Sequence, residues 1–417
     1  MASAEIIAIG SELLTPTKTD TNSLWLTAKL NDIGIDVKLK TIVGDDGARL
    51  EETVRDAMRR SEIVITTGGL GPTADDITRE WTAKAVDRGL IYHEDIETHL
   101  RERFRNWGRE MPEINKRQAY VIDGADVLPN PNGSAVGMLA EIDGKILAIL
   151  PGPPRENQAM FTEHVLPRLI GIAGEVFVRR RLLRVMGGES AVDEVAAPIY
   201  SKYPNVETSV LFNRSEVEIH VAARASTESE ALVTADTVAD ELTVALGPSV
   251  FSTNGETMEE IIGELLKARA ATLAIAESCT GGLIGSRITN VAGSSEYFLE
   301  GAVTYSNEAK IRTLNVSPEI IEVHGAVSAE CAEAMAAGIR DRADADHAIS
   351  VTGIAGPGGG SPDKPLGTIF IGYADRKRVR STKIVVPGDR YLIRWRASQA
   401  ALDLLRRQLI RNVHQST

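Results

Sequence analysis

The sequence predicts an α/β protein: two parallel-sheet units with a small α+β layer between them. Short apolar strands alternate with amphipathic helical stretches at both ends of the chain, the rhythm of a parallel sheet covered by helices. Residues 175–250 break that rhythm, with paired strands and one long helix. The length of 417 residues exceeds one ordinary core and fits two to three domains. Boundaries are expected near 171 (GIAG, 171–174) and in a linker at 248–255, giving units 1–170, 171–250 and 251–417.

In the first unit, strands are expected at 4–10, 35–43 and 62–67, with helices at 20–34 and 47–60 between them. Further strands near 135–150 and a helix over 154–169 close it. The middle unit reads as a strand (176–186), a helix, two strands (207–212 and 215–223) and a long helix (227–246). The third has helix 257–269, strands 271–276, 297–304, 346–352, 366–374 and 379–386, and a last helix over 388–411. Met258, Ile261, Ile262, Leu265 and Leu266 form an apolar stripe on helix 257–269, suited to covering the sheet.

Composition excludes several classes. A hydrophobic fraction of 43% and a charged fraction of 25% are those of a soluble globular chain. The net charge of -12 argues against general nucleic-acid binding, which needs a basic face. Cys279 and Cys331 lack zinc-ligand spacing and make no disulfide framework. The first residues enter a strand without a basic leader, and no apolar run reaches membrane-spanning length, so a cytoplasmic protein is expected.

Two glycine-rich turns carry the chemistry. The first is AESCTGG (276–282), followed by Ser295, Tyr305 and Lys310. A strand over 271–276 and a helix over 279–291 leave a turn that exposes Glu277, Ser278 and backbone N–H groups, a setting that favours developing negative charge. A lysine within reach of a serine can serve as its base, so a serine-based amide hydrolase is expected in the last third. Each residue also has a plain structural reading. Ser278 suits a helix cap, Ser295 a loop, Tyr305 a strand and Lys310 a solvated helix face. The Ser-x-x-Lys and Tyr-x-x-x-Lys motifs each need one residue fewer than Ser306–Lys310 and Tyr305–Lys310 provide.

The second turn is TTGGLGPTADDIT (66–78), directly after a strand, where backbone N–H groups can meet a phosphate. Asp75 and Asp76 are expected to open the next helix, where they can complement its dipole. Glu12, Asp45 and Asp46 follow other strand ends, so the acidic residues can converge with the glycines on a metal-assisted phosphate site.

With these motifs in view, the chain resembles the competence/damage-inducible CinA family over essentially its full length. The resemblance rests on AIGSELL (8–14), DTN (20–22), GDD (44–46), TGGLGPT (67–73) with Asp75 and Asp76, and LPGPPRE (150–156) in the first unit. In the last unit it rests on AESCTGG (276–282), GAVTYS (301–306) with Lys310, GAVS (325–328) and VTGIAGPG (351–358). The resemblance implies a molybdopterin-binding-like N-terminal domain, a small KH-like α+β middle domain and a C-terminal domain similar to the nicotinamide mononucleotide (NMN) deamidases.

It also implies two activities: conversion of NMN to nicotinic acid mononucleotide and ammonia, and metal-dependent cleavage of ADP-ribose. Ser295 matches the family's nucleophile and Lys310 its general base, while Ser278, Tyr305, Thr352 and Arg394 match other catalytic positions. Arg394 would hold the substrate phosphate or assist the oxyanion. Glu277, Gly281, Gly282 and Gly353 are expected to bind substrate in this domain, and Gly68, Gly69, Gly71 and Thr73 in the other. Asp45, Asp46, Asp75 and Asp76 are expected to hold a divalent ion (Mg, Mn or Co), and the deamidase to need no cofactor. A homodimer acting on small nucleotides is expected. Gly187-Gly188 makes no G-x-x-G clamp, so the middle unit is not expected to bind RNA. The competing reading is an accessory protein of competence and recombination, or a pterin-binding module without catalysis.

Overall fold

The computed structural model describes residues 2–173 and 176–411. The chain separates into two compact units: Met1–Arg179 with Ala223–Val233, and Arg180–Ala222 with Thr234–Thr417.

The N-terminal sheet uses β1 (Ser3–Ile9), β2 (Asp36–Val43), β3 (Ile63–Thr67), β6 (Asp126–Leu128), β7 (Gly137–Ile142) and β8 (Lys145–Leu150); β4 (Leu90–Tyr92) and β5 (Tyr120–Ile122) form a separate antiparallel ribbon. The sheet order is β2-β1-β3-β8-β7-β6, parallel from β2 to β8 and antiparallel beyond. Helices α1 (Thr21–Asp32), α2 (Gly47–Arg60), α3 (Thr78–Ala85), α4 (Glu94–Asn106), α5 (Pro154–Met160) and α6 (Leu166–Ala173) accompany it. The strands' period of two splits the core in two. Ile7, Ile9 and Val64 join Leu50 and Val54 of α2, while Ile6, Ile63 and Ile65 join Leu26 and Leu30 of α1. The single helix expected over 154–169 is instead broken by a π-turn at Phe161–Val165.

The middle layer holds β9 (Phe177–Met186), β10 (Val206–Asn213), β11 (Glu216–Ala225) and β12 (Val250–Ser252), in the order β10-β11-β9-β12, with α7 (Glu189–Tyr200) and α8 (Glu228–Leu246). The expected linker at 248–255 therefore contains a strand. Val250 and Phe251 are buried, and Val250 lies opposite Val185 of β9, because two adjacent apolar residues are better paired than left in solvent.

The C-terminal sheet has the order β14-β13-β15-β16-β17, from β13 (Leu273–Glu277), β14 (Phe298–Val303), β15 (His347–Gly353), β16 (Thr368–Asp375) and β17 (Val379–Val385). The first three strands are parallel and the last two antiparallel. Its helices are α9 (Met258–Lys267), α10 (Leu283–Thr289), α11 (Asn307–Leu314), α12 (Pro318–His324), α13 (Ala329–Ala343) and α14 (Arg390–Arg411). A capping box between Thr257 and Glu260 starts α9, and Met258, Ile262 and Leu266 bury its apolar stripe. Leu273 and Ile275 face α9 and α14, while Ala274 and Ala276 face Met335 and Ile339 of α13. Cys279 and Cys331 are buried free thiols. Among the described residues, no helix is long and apolar enough to cross a membrane.

Candidate active sites at the strand ends

The C-terminal site lies where β13, β14 and β15 end. Lys310, in the first turn of α11, is 1% exposed, although lysine is ordinarily a surface residue. Its Nζ lies 3.1 Å from Ser278 Oγ, 2.9 Å from the Thr304 carbonyl and 3.4 Å from the Tyr305 carbonyl. None of these partners is a carboxylate. Burial pushes the Lys310 pKa below its ordinary value. A neutral amine can donate its two hydrogens to the two carbonyls and turn its lone pair to the Ser278 hydroxyl.

Ser295 is not in this group, which corrects its expected pairing with Lys310. It sits in an exposed 3-10 turn before β14, after Gly293 with φ 79°. Phe298 is level with Leu273 and Val303 with Glu277 in the parallel pairing. Ser295 therefore lies at the start of these strands and Ser278 at their end, about 16 Å apart along the sheet at strand spacing. The serine that Lys310 reaches is Ser278.

The turn 278–282 differs from expectation as well. The helix begins at Leu283 rather than 279. Glu277 does not face substrate: it is buried, and its carboxylate accepts from the amides of Gly282, Ile284 and Gly285 at 2.9–3.1 Å. Gly281 donates to the Ser278 carbonyl. The amides of Gly281 and Gly282 are thus committed, and these glycines serve the turn through φ values of 61° and 92°. Gly353 has a packing role, since a Cβ there would come within 2.4 Å of Ile369 and 2.7 Å of the Thr368 carbonyl. Among the described residues, the amides of Cys279 and Thr280 have no backbone acceptor, and Thr280 Oγ1 is buried without a partner. These two amides, directly after Ser278, could hold an oxyanion; the sequence pointed to this turn but to the amides of its glycines.

The remaining positions surround the turn. Arg394 Nε and Nη2 donate to the Thr280 carbonyl at 3.2 and 2.6 Å, so Arg394 orients that peptide. Thr352 is buried and donates to the Ala326 carbonyl. Tyr305 is exposed at 59%, and its hydroxyl accepts from Arg390 at 2.8 Å.

The N-terminal site is a cleft of about 350 Å³ where β1 and β3 end. Gly68, Gly69 and Gly71 line it, together with Glu12, Asp45, Asp75, Asp76 and Glu156. A neighbouring cleft of about 420 Å³ shares Ile9, Glu12, Gly68, Gly152 and Pro153 with it and adds Lys18, Asp20 and Asn22. Two metal expectations are corrected. Asp46 is outside the lining and caps α2, accepting from the Arg49 amide. Asp76 lines the cleft, but its oxygens are taken by the Gly71 and Thr73 amides and the Thr73 hydroxyl. Thr73 thus closes the loop. Asp75 and Asp76 precede α3, which begins at Thr78, rather than opening it. Asp45 accepts from the Ser11 amide through one oxygen and keeps the other. Among the described residues, no three His, Cys, Asp or Glu side chains form a metal cage. Glu156 accepts from Asn130 Nδ2 at 2.6 Å, so Glu12, Asp45 and Asp75 are the carboxylates that could hold a hydrated divalent ion, rather than a closed protein site.

Fold and sites together define a two-unit α/β protein with polar clefts at the carboxyl ends of parallel strands. Residues 5–171 match the family model described as "Probable molybdopterin binding domain", and residues 255–409 match the CinA C-terminal domain. A CinA-like protein of Solibacter usitatus is 48% identical over 407 residues, covering 97% of this chain and 98% of the relative. One from Koribacter versatilis is 47% identical, covering 98% and 100%. The crystal structure of the competence/damage-inducible protein CihA from Agrobacterium tumefaciens aligns at 39% identity and TM-score 0.35, covering 36% of this chain and 91% of that one. The chain belongs to the CinA family. Residues 172–254 lie outside both domain matches, so the KH-like expectation for the middle layer gains nothing from them.

Proposed function

We propose that this protein is a hydrolase with two reaction centres, a C-terminal amidase acting on NMN and an N-terminal metal-dependent pyrophosphatase acting on ADP-ribose. The observation that carries the first is the buried, carboxylate-free Lys310 beside Ser278 Oγ. Neutral Lys310 takes the Ser278 proton as Oγ attacks the carboxamide carbon. The oxyanion is held by the Cys279 and Thr280 amides, on a peptide oriented by Arg394. Lys310 returns the proton to the leaving nitrogen, and ammonia departs. Water, deprotonated by Lys310, then attacks the acyl-Ser278 ester, and Lys310 returns that proton to Ser278 Oγ as the acid departs.

Two adjoining clefts, one lined by glycines and carboxylates, support the second centre, since together they suit a ligand longer than a single phosphate. A divalent ion there supplies charge neutralisation on phosphate oxygens. Asp45 and Asp75 are the carboxylates best placed to hold it, and the glycine loop holds the phosphate.

The test is ammonia release from NMN and AMP release from ADP-ribose, with and without EDTA. Deamidation is expected to survive chelation and ADP-ribose cleavage to stop. Ser278→Ala is expected to abolish ammonia release while Ser295→Ala retains it. The reverse pattern would overturn the Ser278 assignment, and equal loss of both activities in EDTA would overturn the division of labour.

A further inference from the structure

Among the described residues, Arg79, in the first turn of α3, has no carboxylate bonded to it, although Glu80 and Asp76 lie near enough to act on its charge. Its side chain is 1% exposed. Nη2 donates to the Leu70 carbonyl and, at 3.3 Å, to that of Gly71. Nε and Nη1 are buried with no partner, and no carboxylate is hydrogen bonded to it. Burial pushes its pKa down to about 10, which still leaves it charged at neutral pH. A buried cation without an ion partner is costly, and an anion nearby would offset that cost.

The loop that Arg79 holds is where such an anion fits. Arg79 takes the carbonyls of Leu70 and Gly71. Arg117 takes those of Pro72, Thr73 and Asp76 at 3.5, 2.6 and 3.3 Å. With the carbonyls drawn to these guanidinium groups, the amides of Gly69 and Leu70 have no protein acceptor among the described residues. Gly68 and Gly69 have φ values of 108° and 64°, which glycine alone adopts readily, so the backbone turns sharply as it leaves β3. Gly68, Gly69 and Leu70 all line the cleft. The cleft's carboxylates repel an anion, and Arg79 offsets them from behind the loop.

We propose that Arg79 is the fixed counter-charge and positioning residue of an anion cradle at 68–71, and that this cradle takes a phosphate or diphosphate group without metal. The inference rests on the phosphate reading of the N-terminal cleft and adds the group that makes an acidic cleft accept an anion.

The test uses the full-length protein and inorganic pyrophosphate, titrated by calorimetry in EDTA. Wild type binds. Arg79→Met weakens binding by on the order of tenfold or more, and Arg79→Lys, which keeps a cation, restores most of it. Glu80→Gln is the independent variant. Glu80 is the acidic neighbour that acts most strongly on Arg79, and it pairs with Arg117 at 2.9 Å. The glutamine keeps an acceptor for Arg117 but removes the opposing charge, so pyrophosphate binds about threefold more tightly.

A folded Arg79→Met protein with wild-type affinity overturns the proposal, as does a wild type that binds no pyrophosphate in EDTA. If Arg79→Met does not fold, Glu80→Gln decides, and unchanged affinity there counts against the counter-charge. A wild type that binds pyrophosphate but releases no AMP from ADP-ribose with metal present would sink the pyrophosphatase reading and leave the cradle standing.

Discussion

A lysine acts as a base only when it has lost its proton, and the setting of Lys310 favours that state. Its folded pKa lies below the unfolded value, so between the two the unfolded chain binds more protons than the native one. The contribution of Lys310 to stability therefore rises with pH across that window and is lost as pH falls through the folded pKa. Urea midpoints of wild type and Lys310→Met at pH 7 and pH 9.5 check this, and the wild type should gain on the variant at the higher pH. The rate of deamidation should rise with pH through the same ionisation, and Lys310→Met should lower it by about 10²–10⁴-fold. A flat pH profile with an active Lys310→Met would remove Lys310 from the base role. That Ser278 and Lys310 come together was legible in the sequence, because their motifs follow the ends of the adjacent strands β13 and β14. Ser295 was misread, although the expected strand 297–304 already lay between it and Lys310. A strand with one residue before it and the other after it carries them to opposite edges of the sheet.

At the scale of elements, the start of α10 shows what residue patterns leave hidden. The sequence places Glu277 beside Ser278, where a carboxylate looks like a substrate ligand. Burial instead turns it inward, to satisfy three amide groups that the helix cannot bond internally. Glu277→Gln leaves one acceptor oxygen for three donors. It is expected to cost about 1–3 kcal/mol and to loosen the 278–282 turn. Lower thermal stability together with a lower kcat on NMN would bear this out, and unchanged stability would not. The β4–β5 ribbon and α4 were not legible, because polar residues dominate 86–134 and the ribbon strands have three residues each, too few for a period-two pattern to stand out. The parallel strands were legible because runs such as Ile6–Ile9 and Ile63–Ile65 are buried on both faces.

For the whole molecule, the question is whether the C-terminal site stands without the middle layer. The family match begins at residue 255, yet the compact unit that holds the site also includes Arg180–Ala222. Several bonds join these parts, and they converge on α14. The Arg214 carbonyl accepts from Arg396, the Arg214 guanidinium lies 4.6 Å from the Trp395 ring, and Glu216 accepts from Gln399 at 2.8 Å. Arg406 donates to the carbonyls of Pro248 and Val250. The same helix carries Arg394 and Arg390 to the site, one to Thr280 and the other to Tyr305. A fragment starting near Ser252 keeps α9 and the whole sheet, so it should fold and retain Ser278 beside Lys310. It loses the supports of α14 and leaves Trp395, Gln399 and Arg406 short of partners. It should therefore unfold at lower denaturant than a fragment starting at Arg180, by about 2–4 kcal/mol in stability, from two or three lost buried polar contacts. Its kcat on NMN should fall more than its KM rises, because Arg394 acts on the peptide that cradles the oxyanion. Equal midpoints and equal kcat for the two fragments would show that α14 needs no help from the middle layer.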